Sequence, residues 1–135
     1  IQRSRGLGDV YKRQILGQIK RGMHIVRQRF IAIHTYISEE HKKQVLAAPF
    51  EEDKITDIEW AKLWEFKKCS CIAAWQGNDD FFFCHWEADT EEDIHEALEE
   101  NGLNKLCVTA CYRIHFHADR NKLTGQIRSY PPWKD

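Results

Sequence analysis

The chain holds 5 cysteines and 7 histidines, the side chains that bind zinc, nickel and copper when three or four converge within about 2.0 to 2.3 Å of one ion. The run Leu106 to His117 (LCVTACYRIHFH) reads as a strand, and its period of two puts Cys107, Cys111, His115 and His117 on one face. Cys107 and Cys111 would stand roughly 13 Å apart along that strand, too far to share an ion, whereas His115 and His117 at roughly 7 Å could share one. Cys71 and Cys84 are expected to face each other across a hairpin. The candidate metal ligands are therefore Cys71, Cys84, Cys111, His115 and His117, with nickel or zinc as the ion. Buried cysteine also behaves as a small hydrophobe, and no CxxC pair is present.

Two histidines suit acid–base work. His34 and His85 lie in strand-like runs, and an imidazole in a pocket between helices and sheet titrates near neutral pH. Trp75 and Trp86, with Trp60 and Trp64, could line an aromatic ligand cleft, because pockets are mostly apolar with a few polar groups. The acidic run Glu91, Glu92, Asp93, Glu96, Glu99, Glu100 reads as a solvated helix face, and His95 as a surface residue beside its buried stripe. The sequence contains no phosphate loop, nucleophile elbow or paired-carboxylate motif.

The elements that must position these groups follow from pattern and caps. His24 to Ile37 (HIVRQRFIAIHTYI) is rich in β-branched and aromatic residues and predicts the first strand, with Phe30 to Tyr36 as its core. Ser38 with Glu39 and Glu40 opens a helix that stops before Pro49. Thr56 to Glu59 has capping-box spacing, and Trp60, Ala61, Leu63 and Trp64 continue a helical segment to about Lys68. Cys69 to Gln76 and Asp79 to Glu87 flank Gly77-Asn78, which predicts a type II′ hairpin. Cys69, Cys71, Ala73, Trp75, Phe82, Cys84 and Trp86 then share one face. Thr90 caps the clearest helix, Ile94, Ala97 and Leu98 form its stripe, and Gly102 closes it with Leu103 in contact.

This order, β, α, β, β, α, β, is the ferredoxin-like split pattern, an α+β two-layer sandwich. Phe81, Phe82, Phe83, Cys84 and Trp86 are apolar on both faces of strand three, yet helices cover one side alone. A second subunit packing sheet to sheet, as in dimeric α+β barrels, is the economical cover.

Cys84-His85-Trp86-Glu87-Ala88, followed by Ile94 in the next helix and Gly102-Leu103 at its end, resemble a family of small ferredoxin-like proteins of unknown function that includes a bacterial nickel-binding protein. The resemblance covers Cys69 to Ile114 and implies the ferredoxin-like fold with a nickel-type metal. The strand that carries a histidine in that family reads Ala73-Ala74-Trp75-Gln76 here, and Asp89 stands where a proline is common.

Ser4 to Gln14 (SRGLGDVYKRQ) fits neither helix nor strand. Asp9 to Gln14 can be written GAT GTG TAT AAG AGA CAG, which looks like the transposon end of a sequencing-library adapter, so residues 1–22 are expected to be artefactual or untranslated, in a metagenomic read, with Met23 as the start. In those residues Arg3, Arg5, Lys12, Arg13, Lys20 and Arg21 outweigh Asp9 by +5, so the whole-chain charge of −1 leaves −6 for Met23 to Asp135. An acidic domain is a poor partner for nucleic acid. No apolar run approaches the roughly 18 residues of a membrane span, and cysteines in odd number without secretory context point to reduced thiols and a cytoplasmic location. The expected organisation is one domain over 23–118 and a tail over 119–135.

Three functions fit these residues. The first is a small cytosolic homodimer that binds a metal ion or small ligand without clear catalysis. The second is a cofactor-free monooxygenase or isomerase of the dimeric α+β barrel type, with His34 or His85 in an aromatic pocket. The third is an interaction module with neither pocket nor ion.

Overall fold

A computed structural model describes residues 27–128, so the expectations for residues 1–22, for Met23 and for the last seven residues lie outside the described part. The elements are β1 (Gln28–Tyr36), α1 (Glu39–Leu46), α2 (Asp57–Leu63), β2 (Cys69–Trp75), β3 (Phe81–Ala88), α3 (Glu91–Glu100) and β4 (Cys107–Ile114), with single 3₁₀ turns at Glu51–Asp53, Leu103–Lys105 and Arg120–Lys122. The four strands form one open antiparallel sheet in the order β2-β3-β1-β4. This is an α+β domain, and no helix among the described residues is long and apolar enough to cross a membrane.

The helix starts follow from their caps. Ser38 accepts from the His41 amide, Thr56 and Glu59 form a reciprocal capping box, and Thr90 and Asp93 form another. At the far end of α3, Gly102 takes φ +79°, the left-handed conformation that ends a helix with little penalty only for glycine. Helix α2 stops at Leu63, short of the expected Lys68, because the chain turns at Trp64 and Glu65 bridges to Ser70 beside β2.

One face of the sheet makes the core. Phe30, Ala32, His34 and Tyr36 of β1 alternate inward, and their partners Trp86, Cys84 and Phe82 on β3 and Cys107 on β4 share that face. Ile94, Ala97 and Leu98 of α3 close over it at 0 to 3% exposure. Trp60, Trp64 and Phe66 pack at its margin, where Trp64 meets Trp86 edge-on and Phe66 stacks on it.

The hairpin departs from expectation twice. Gly77 has no positive φ, so there is no type II′ turn, and the connection spans residues 76–80. A bulge between Cys71 and Ala73 then shifts the register, pairing Cys71 with Trp86 and Ala74 with Cys84. Since one extra residue reverses every later side chain, Ala73 and Trp75 leave the core face and Cys71 is not opposite Cys84. Trp75 pairs with Phe83 on the outer face and is 52% exposed.

That outer face also carries Phe81, Phe83, Val108 and Tyr112, all exposed. Beyond β4 the chain runs back over part of it, where the rings of His117 and His85 lie 5.2 Å apart.

Candidate metal centre

Glu91 and His95 stand four residues apart on α3, the spacing that sets two side chains on one helical face. His95 Nε2 lies 3.1 Å from a Glu91 carboxylate oxygen. Beneath them runs β4, where Cys111 pairs with Ala32 and therefore points to the helix side of the sheet. One carboxylate oxygen, one imidazole nitrogen and one sulfur all lie within 4.8 Å of one another. Donor atoms around a tetrahedral zinc ion stand about 3.3 to 3.8 Å apart, so closing this set on an ion needs side-chain rotation of about an ångström. Glu91 is exposed, while His95 and Cys111 are half-buried, so the donor set lies at the solvent boundary.

The electrostatics depend on an ion. Burial, and then the negative charge of Glu91, push the Cys111 thiol up to about 12, so the metal-free site holds a protonated thiol. A divalent cation would outweigh both influences, because sulfur binds metal as thiolate and releases its proton on binding.

The ligands expected from sequence lie in three places. Cys111 belongs to this cluster. Cys71 and Cys84 lie under the helices, near enough that a contact from Cys71 is the largest cause raising the Cys84 thiol, with burial second, but no third donor joins them among the described residues. His115 and His117 follow the end of β4 at Ile114, so strand alternation no longer governs them; His115 is exposed, and His117 faces His85 on the far side of the sheet. His85 itself is 3% exposed, and burial, followed by the charge of Arg29, lowers its pKa.

His34 occupies a separate place, the sheet side of an aromatic cavity. It is fully buried, its Nδ1 sits 2.7 Å from the Thr109 hydroxyl, and its ring lies 4.6 Å from that of Phe82. Burial, and then the nearby charge of His95, lower its pKa to about 4, so the imidazole is neutral at physiological pH. Trp86 lines the same cavity, whereas Trp75 lies on the opposite face.

Glu91 and His95 were missed as candidate ligands by sequence reasoning, which placed both on a solvated surface. Their i, i+4 spacing was the available signal, but it became specific only once Cys111 was known to lie beneath them. Comparison with family models, with curated proteins and with solved structures returned no match. Fold and site together define the class: a small α+β domain carrying a candidate Glu/His/Cys metal centre.

Proposed function

We propose that the protein binds a divalent transition metal, zinc or nickel, through Glu91, His95 and Cys111. The observation that carries this reading is the convergence of three chemically different donors from α3 and β4 within 4.8 Å. An imidazole and a thiolate favour borderline and soft ions over magnesium or calcium, and three protein donors with an open position form a site that can exchange its metal. The resemblance at Cys84 to Ala88 and Gly102-Leu103 points the same way.

The order β2-β3-β1-β4 with every pairing antiparallel supports a ferredoxin-like two-layer sandwich. The exposed Trp75, Phe81, Phe83, Val108 and Tyr112 on the outer face support a homodimer of the α+β barrel kind.

The test is elemental analysis of the untagged protein after incubation with zinc or nickel and desalting. One equivalent per chain is expected, lost in His95→Ala and Cys111→Ser and retained in a His115→Ala/His117→Ala variant. Metal that follows His115 and His117 instead would overturn the assignment.

A further inference from the structure

His85 lies on the outer face of the sheet, between Ile31 of β1 and Ala73 of β2. That face is open: Phe83, two residues earlier on β3, is 39% exposed, and Ile31 and Ala73 are only half-buried. His85 is nonetheless 3% exposed. Its cover is the chain beyond β4, where the His117 ring stands 5.2 Å from the His85 ring and Lys122 is close enough for its charge to act on the imidazole.

This covering segment, 115–128, is lightly held. Every residue in it except Asp119 is exposed. The amides of Asn121, Lys122 and Gln126 bond within the segment, to Asp119 Oδ1, the Asp119 carbonyl and Thr124 Oγ1, and so add no hydrogen bond to the sheet. A piece of chain with few buried apolar contacts opens at low free-energy cost, so one charge added beneath it decides whether it stays.

Docking requires a neutral His85. Its Nε2 is buried with no hydrogen-bond partner among the described residues. An imidazolium donates from both nitrogens, so protonation under the segment would bury a charge and leave one of its N–H groups unbonded. The charged groups facing His85 are Arg29 on β1, Glu87 on β3, and His117 and Lys122 on the segment. Glu87, the one anion in this set, already lies 3.4 Å from Arg29. Burial first, then the charges of Arg29 and His117, hold the His85 pKa below its ordinary value. With the segment undocked, His85 regains water and loses His117 and Lys122. The undocked state therefore binds the proton more readily, and linkage weakens docking as pH falls below about 6.5.

We propose that segment 115–128 is an acid-released strap, docked over neutral His85 through His117 and set free when His85 is protonated, which uncovers His85 and extends the open apolar face.

The experiment is an NMR amide-relaxation measurement on the full chain at about pH 7.5 and about pH 5. Order parameters over 118–126 should be about 0.85 at the higher pH and below about 0.6 at the lower, while β1 and β3 stay rigid at both. His85→Phe keeps a ring for His117 to pack on but takes up no proton, so its segment should stay ordered at the lower pH. Should that variant not fold, the midpoint of release in the parent chain should coincide with the titration of the His85 imidazole resonances. A segment equally ordered at both pH values, or already mobile at the higher one, would overturn the proposal. So would release that persists in His85→Phe, is shared by β1 and β3, or has a midpoint apart from the His85 titration.

Discussion

His34 shows what burial does to a single side chain. Its pKa falls from 6.5 to about 4 on folding, so between those values the unfolded chain holds a proton that the folded one does not. Stability from this residue is therefore complete above pH 6.5 and declines as pH falls toward 4; the full span corresponds to about 3 kcal/mol. His85 is shifted in the same direction. Urea titrations across this range should show stability falling with pH, with a smaller slope in His34→Gln; an unchanged slope would contradict the account. The sequence offered His34 only as an acid–base candidate in a strand-like run, and its burial follows from alternation with Phe30, Ala32 and Tyr36 on the core face. It could not identify Thr109 as the partner, since that pairing depends on the register of β4 against β1.

At the scale of elements, local chemistry was the most legible. The caps at Ser38, Thr56 and Thr90 and the glycine stop at Gly102 each depend on neighbours within a few residues, and each lies where its pattern predicts. Thr90→Ala should lose about 1 kcal/mol by denaturant unfolding. It should also weaken metal binding, because the first turn it caps carries Glu91. Gly102→Ala should lose about 1 kcal/mol from backbone strain alone, since an added Cβ would meet no atom within 4 Å. What was not legible depends on contact between strands. The bulge that sends Trp75 outward has no marker in Cys71-Ile72-Ala73, and the end of β4 at Ile114 is hidden in a run that remains strand-like through His117.

Across the whole molecule, the α+β class and the strand assignments were readable because the core face repeats every second residue. Of the three residues of the candidate metal centre, one was readable. Cys111 stood out by its type, while Glu91 and His95 acquired meaning only from the packing of α3 over β4. The open outer face gives a direct expectation for assembly. Light scattering should report a dimer for the full chain and a monomer for Phe83→Lys, whose side chain sits amid Trp75 and Phe81; a monomeric parent chain would contradict the assembly. The metal reading is tested most directly by cobalt(II) absorption of the full chain, because a thiolate bound to cobalt gives an intense near-ultraviolet charge-transfer band. That band is expected at one equivalent of cobalt, lost in Cys111→Ser, weakened in His95→Ala, and displaced by zinc. A band that survives Cys111→Ser, or no band at all, would contradict it.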